Sequence, residues 1–298
     1  MGIGLFLTFI GLNQAGIVVL GTAGAPVRAG ELSSVPVLVA IAGFLLMALL
    51  MIRRVPGGIL VGIASTWLVA ILLRVAAPPA HWISAPPSLS PILFQLSLRD
   101  ALTWSFFPVV LTIFVMAFVD TMGTLIGVSV RAGFLDEKGH LPQVERPMIA
   151  DALATMFAAL VGTSTSGAYI ESAAGVEAGG RTGLTALVTA ACFALTLFCS
   201  PVVAAIPAQA YAPALIIVGL LMLGPVTLLK FDDFTELIPS FAVIVLMSFT
   251  YNIGIGITAG FVLYPFCKVI AGRAGEVRPG LWVLSAISLL FFVFYPYK

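Results

Sequence analysis

The sequence predicts an all-α polytopic membrane protein, and three observations carry that prediction. Of its 298 residues, 60% are hydrophobic and only 9% are charged, whereas a soluble domain carries about 25% charged residues. Mean hydropathy is +1.14, so a large water-facing surface cannot be covered. Apolar runs recur along the whole chain, at about 2–20, 35–52, 58–76, 105–130, 148–164, 182–206, 213–229, 235–251, 253–271 and 281–296. Runs of that length read as transmembrane helices. The net charge of +1 gives no reason to expect nucleic acid or an acidic partner.

Taken in order, the first run begins Met1-Gly2-Ile3-Gly4-Leu5-Phe6 without a basic stretch, and no small-residue cleavage site follows. It reads as a transmembrane helix entered part-way along rather than a signal peptide. Asn13 and Gln14 within it would line a cavity or bond between helices. The segment 77–104 holds Pro78, Pro79, Pro86, Pro87 and Pro91, so it should be irregular or interfacial. Trp82 and Trp104 fit anchors at the membrane–water boundary. The stretch from Arg131 to Pro147 is the most polar, and its Asp136-Glu137-Lys138-Gly139 reads as a solvated turn.

The stretch 165–181 is apolar but interrupted by Gly167, Gly175, Gly179 and Gly180. From Tyr169 to Gly180 a helix would rise only about 18 Å, half a bilayer, as a discontinuous helix does. Asn252, Gly254, Gly256 and Gly260 mark a helix break or close packing. Cys192, Cys199 and Cys267 sit in apolar segments without metal-ligand spacing, and His81 and His140 fall outside the apolar runs. All five read as packing or loop residues.

Lysine and arginine set the orientation. If the first run exits outward and 165–181 counts as one crossing, Arg53, Arg54, Arg131, Lys138, Arg146, Arg181, Lys230, Lys268, Arg273 and Arg278 fall inside. Arg28, Arg74, Arg99 and Lys298 fall outside. Treating 165–181 as a re-entrant hairpin would strand Lys268, Arg273 and Arg278 outside, so the crossing is preferred.

Two carboxylates stand in these apolar surroundings. One at a bilayer centre costs roughly 2.5–3.5 kcal/mol on insertion scales, so such groups face a cavity or a partner. Glu171 follows Thr163-Ser164-Thr165-Ser166-Gly167-Ala168-Tyr169-Ile170, a hydroxyl-rich stretch that can run extended before a helix starts near Tyr169–Ser172. Free N–H groups at that start, with Glu171 accepting from ring N–H groups, could hold a planar polar ligand. The plainer alternative is a carboxylate bonded to backbone N–H groups. Asp120 and Thr124 are four apart on one helix face, flanked by Gly123 and Gly127, which let another backbone approach. That face could put Asp120 opposite Glu171 and make a proton carrier, or Asp120 could simply bond a hydroxyl of a neighbouring helix. Asp151, near a helix start, reads as favouring the helix dipole, and Glu177 as pairing locally. No HExxH, GxSxG or phosphate-binding loop occurs, so an enzyme is not expected, nor any cofactor or metal.

At these residues the sequence resembles a known group. Val119-Asp120-Thr121-Met122-Gly123-Thr124-Leu125-Ile126-Gly127, Gly162-Thr163-Ser164-Thr165, Tyr169-Ile170-Glu171-Ser172-Ala173-Ala174-Gly175 and Gly179-Gly180-Arg181-Thr182-Gly183-Leu184-Thr185-Ala186 resemble the AzgA-like purine permeases of the xanthine/uracil permease (nucleobase–cation symporter-2) family. The resemblance extends to Gly2-Ile3-Gly4-Leu5-Phe6 and to Ala212-Pro213-Ala214-Leu215. It implies a fold of fourteen membrane segments in two inverted seven-segment repeats, divided into core and gate. It also implies proton-coupled uptake of adenine, guanine or hypoxanthine across a bacterial inner membrane. Residues 1–104 would be the remainder of the first repeat, 105–206 the core helices with the site, and 207–298 the last gate helices. By that resemblance Glu171 reads the base, Asp120 binds it or carries the proton, and Thr124, Thr163, Ser164, Thr165, Ser166, Ala168 and Tyr169 complete the pocket.

Asp120 stands where uracil-type members have Glu, and Thr124 where they have His; both agree with the purine branch. Four N-terminal segments of the family pattern are not matched, among them a strand expected to pair near 165–169. The alternatives are therefore a truncated remnant or a half-transporter needing an N-terminal partner. An anion exchanger of the sulfate-transporter type is disfavoured by the fixed charge of Glu171. The partners implied are a purine nucleobase, a proton, the lipid bilayer and a second copy in a homodimer.

Overall fold

The computed structural model describes residues 2–21, 26–86, 88–137 and 139–295. In chain order the elements are α1 (Gly2–Gln14), β1 (Val18–Leu20), β2 (Val27–Ala29), α2 (Val35–Ile52), α3 (Gly58–Leu72), α4 (Leu98–Ala101), α5 (Phe107–Ala132) and α6 (Glu145–Val161). They continue with α7 (Ser172–Glu177), α8 (Gly183–Thr196), α9 (Ser200–Ala204), α10 (Ala208–Leu221), α11 (Phe234–Phe249), α12 (Ile253–Ile270) and α13 (Pro279–Phe294), with 3-10 turns at Gly224–Leu228 and Ala274–Glu276. Pro87, Lys138 and Lys298, used in the loop and orientation readings, lie outside the described residues, as do Pro296 and Tyr297 at the end of the last run.

Helices α2, α5 and α12 are each long and apolar enough to cross a membrane, with 18, 26 and 18 residues. At 1.5 Å per residue α5 is about 39 Å long and exceeds the hydrocarbon core. Helices α1, α3, α8, α10, α11 and α13 are apolar and shorter. Large side chains such as Leu45 and Ile52 of α2 and Leu60 and Leu72 of α3 stand exposed, and lipid is as apolar a surrounding as any core. The expected helical membrane class is what the chain adopts.

Several ends differ from the apolar runs, each for a local reason. The first run does not stay helical to residue 20. Gly16 takes φ +74°, Asn13 donates its side-chain amide to the Val18 carbonyl at 3.1 Å, and Val18–Leu20 pairs antiparallel with Val27–Ala29, Val19 opposite Arg28. The run 182–206 is two helices, α8 and α9, because Pro201 lies just inside a new helix start. Helix α10 begins at Ala208, earlier than the run at 213–229, with Pro213 inside it.

The chain divides into two compact units that interleave in sequence. The first comprises Met1–Phe6, Ser88–Ser172 and Gly224–Lys298. In it α5 packs against α6, α12 and α13, and α11 pairs with α12. Its core is Val115, Val119 and Phe291, ringed by residues including Met116, Ile255 and Ile287. Helices α11 and α12 approach closely because Gly256 and Gly260 face Met247 and Val243; a Cβ on Gly256 would lie 2.6 Å from Met247 Cβ. The turn between them is closed by Asn252, which caps α12 through Oδ1 to the Ile255 N–H (3.1 Å) and donates Nδ2 to Tyr295 Oη (3.0 Å).

The second unit comprises Leu7–Pro87 and Ala173–Leu223. Here α2, α3 and α10 pack on one another around Met47, Ala214 and Ile217. Thr66 donates its hydroxyl to the Gly62 carbonyl one turn back (2.7 Å), and its side chain lies so close to Gly43 that a Cβ there would stand 2.6 Å from Thr66 Oγ1. All fourteen residues of α8 are exposed.

A charge network closes the far end of the α11–α12 pair. Lys268, fully buried near the end of α12, places Nζ 2.9 Å from Glu276 Oε2, 3.5 Å from Glu236 Oε1 and 3.9 Å from Asp233 Oδ2. Arg273 bonds Glu276 through both Nε (2.7 Å) and Nη2 (2.9 Å), and reaches Asp233 Oδ2 at 2.7 Å. Hydrogen bonds from Arg273 and then Lys268 hold the Glu276 carboxyl down from an ordinary 4.5 to about 2. Thr235, then Arg273, hold Asp233 below its usual range.

Candidate functional site

The candidate site lies in the first unit, where α5, α6 and the irregular chain after α6 meet. Helix α6 ends at Gly162, whose φ of +85° and close approach to Ile92 admit no side chain: a Cβ would stand 2.6 Å from the Ile92 carbonyl oxygen. The last turn is closed by Gly162 N–H to Ala159 O and Thr163 N–H to Ala158 O. Phe94 N–H donates to Leu160 O at 2.9 Å, so the 88–96 segment is seated on the same end of the helix. From Thr163 to Tyr169 the chain is neither helix nor strand, and α7 then starts at Ser172. The helix break stands within the 165–180 stretch, but α7 runs six residues rather than the twelve expected. Gly179 at φ +100° and the bond from Gly180 N–H to Gly175 O end it early.

One face of α6 positions this irregular chain against α5. Thr155 donates its hydroxyl to the Ser166 carbonyl (2.9 Å), and Asp151, four residues earlier on the same face, accepts from Thr121 Oγ1 of α5 (2.9 Å). Gly167 consequently passes beside α5: a Cβ there would sit 3.9 Å from Asp120 Oδ2 and 4.0 Å from Thr121 Oγ1. Asp120 is half-buried.

Two atoms of this face are left open. Asp120 Oδ1 and Thr124 Oγ1 are buried and have no hydrogen-bond partner among the described residues. Leaving such a group unsatisfied costs about 1–3 kcal/mol, so each calls for an explanation. Successive residues advance 100° around a helix, so positions 120 and 124 point about 40° apart and can address one small molecule.

The other expected residues are placed as follows. Ser166 is half-buried and tied through its carbonyl; Ala168 is half-buried; Thr163, Ser164, Thr165, Tyr169 and Glu171 are exposed. No hydrogen bond joins the side chains of Thr163, Ser164 or Thr165 to Asp120 among the described residues. Asp151, read from sequence as a dipole-favouring helix residue, also accepts from Thr121, the residue next to Asp120. The available signal was its i, i+4 relation to Thr155, which puts an acid and a hydroxyl on one α6 face. Asn13, Asn252 and the glycines near 256 are occupied in turn-making and packing. A separate hollow lined by Ala101, Leu102, Thr103, Trp104, Phe107 and Val110 holds no ionisable group and lies at least about 15 Å along α5 from Asp120.

Comparison with known proteins agrees with this picture. The Permease family model of xanthine/uracil permeases matches residues 1–263. A candidate permease of Methanocaldococcus jannaschii is 44% identical over 99% of this chain and 67% of its own length. A guanine/hypoxanthine permease of Bacillus subtilis is 37% identical over 98% of the chain and 67% of its own length. An adenine permease of Escherichia coli is 36% identical over 98% and 65% respectively. The chain thus spans about two thirds of the length of these relatives. Its apolar helices, the open polar face of α5 and these matches agree: the chain belongs to the xanthine/uracil permease family, whose members are membrane permeases and not enzymes.

Proposed function

We propose that the chain binds purine nucleobases and serves their proton-coupled uptake across the inner membrane. The observation that carries this reading is the pair of buried, unpartnered oxygens, Asp120 Oδ1 and Thr124 Oγ1. A purine offers ring N–H groups that a carboxylate accepts, and ring nitrogens or a carbonyl to which a hydroxyl donates. Relatives named for guanine, hypoxanthine and adenine transport favour the purine class.

In this mechanism Glu171 and Asp120 take the N–H edge of the base, Thr124 completes the contact, and Ser166, Gly167 and Ala168 form the backbone wall. Thr163, Ser164, Thr165 and Tyr169 border its approach. Asp120, Asp151 and Glu171 share a proton that is taken up and released with the base. Lipid surrounds the helices, and a second copy of the chain completes the assembly as a homodimer.

Binding is the first test, since it requires the site and not a completed transport cycle. Membranes bearing the chain should retain radiolabelled hypoxanthine, guanine or adenine, with unlabelled purine competing and sulfate not. Asp120→Asn and Glu171→Gln should each abolish retention. Wild-type retention by either variant would overturn the assignment, and competition by sulfate would turn it toward anion exchange. In vesicles, accumulation should require an inward proton gradient and collapse with a protonophore; uptake indifferent to both would remove the proton.

A further inference from the structure

The charge network around Lys268 lies outside the candidate site, and its construction differs from the rest of the helix packing. An ammonium with no exposed surface is placed beside three carboxylates, and the nearest of them, Glu276, lies on the connection between α12 and α13. That connection contributes almost nothing apolar. Gly272, Ala274, Gly275 and Glu276 are exposed. Gly272 (φ +70°) and Gly275 have no atom within 4 Å of where a side chain would begin, so the chain on either side of Ala274 has room to swing.

Backbone bonds from Gly272 N–H to Val269 O (2.9 Å) and from Arg273 N–H to Lys268 O (2.8 Å) fix these two residues to the end of α12. Arg273 reaches Asp233 at the start of α11, and beyond Arg273 the side-chain tie is the carboxylate of Glu276, to Lys268 and to Arg273. Beyond it the chain is anchored again by buried Val277. A short exposed stretch between two glycines, fastened by an ion pair beside a buried lysine, can lift without bringing apolar surface into water.

We propose that Ala274–Glu276 is a reversible strap: fastened, its Glu276 carboxylate holds Lys268 and Arg273 at the end of α12; lifted, it leaves both cations and uncovers the ammonium. Glu276 is the fastener. Its carboxylate is the nearest group to Lys268 Nζ and also takes two hydrogen bonds from Arg273, so its loss releases both cations from the turn at once. The strap is a property of the α11–α13 segment and does not depend on which solute the protein moves.

Amine-reactive footprinting of the full chain in membranes tests it. A short pulse of an acylating reagent, read by mass spectrometry, should modify Lys230, which is 69% exposed, and leave Lys268 at least about tenfold slower. Glu276→Gln should raise the Lys268 rate by about tenfold while leaving Lys230 within about twofold. Because this change also alters the amine's surroundings, hydrogen exchange of the 274–277 amides provides a second reading and should accelerate in the same variant. Equal rates at Lys268 and Lys230 in the wild type would overturn the proposal. So would a Glu276→Gln protein in which Lys268 and the 274–277 amides keep wild-type protection, since the helices alone would then be burying the lysine.

Discussion

Replacing Gly162 by alanine would test how α6 delivers the irregular segment to Asp120. Two costs arise, and the structure separates them. The left-handed backbone at φ +85° penalises any side chain by about 1–2 kcal/mol. The new methyl would also stand 2.6 Å from the Ile92 carbonyl oxygen, 0.8 Å short of the 3.4 Å at which ordinary contact begins. Because the obstacle is backbone, it cannot rotate away, and overpacking of this kind costs about 1–3 kcal/mol. The sum is a loss of about 2–5 kcal/mol. Gly133, the residue after α5, supplies the control: its φ is +71° and nothing lies within 4 Å of the missing side chain. Gly133→Ala should therefore lose only the backbone cost, about 1–2 kcal/mol. Unfolding titrations in detergent, followed by circular dichroism, give both values. Equal losses would mean that the 88–96 segment does not press on Gly162, and the seating of the segment would have to be rebuilt.

Four further outcomes are expected. Thr121→Val removes the donor to Asp151 and should destabilise by about 1–3 kcal/mol in the same titration, whereas Thr121→Ser should stay near wild type. Thr124→Val should leave stability unchanged or slightly higher, because its hydroxyl has no partner to lose, while retention of labelled purine falls at least about tenfold. Asn252→Ala removes the cap of α12 and the bond to Tyr295, at a cost of about 0.5–2 kcal/mol. For pH, the Glu276 carboxyl is held at about 2 against an ordinary 4.5. A depressed carboxyl stabilises the fold above its unfolded value and loses that effect as pH falls through its folded one. The difference in thermal midpoint between wild type and Glu276→Gln should therefore be constant above about pH 5 and vanish toward pH 2.

The sequence allows the helices to be read because lipid imposes one rule on all of them. The runs 35–52 and 253–271 nearly coincide with α2 and α12. The rule fails where apolar residues are not helical. Val18–Leu20 are as apolar as the helix before them, and only their pairing with Val27–Ala29 and the φ of Gly16 reveal a strand. Asp120, Thr124 and Glu171 are conspicuous in sequence because a carboxylate among apolar residues is costly. Asp151 is hidden because its partner Thr121 lies thirty residues away, and no local pattern announces that contact. The length of α7 is equally obscure: four glycines say that the helix breaks, and not which glycine breaks it.

Helix α6 carries two tethers one turn apart, Asp151 to α5 and Thr155 to the irregular chain beyond it. The two attachments cannot be adjusted separately. A shift of α6 is passed to the 166–168 backbone through Thr155 and to the neighbour of Asp120 through Asp151, so the spacing between the two depends on both contacts at once. Variants that retune this spacing should therefore turn up on the far side of α6, at positions touching neither tether.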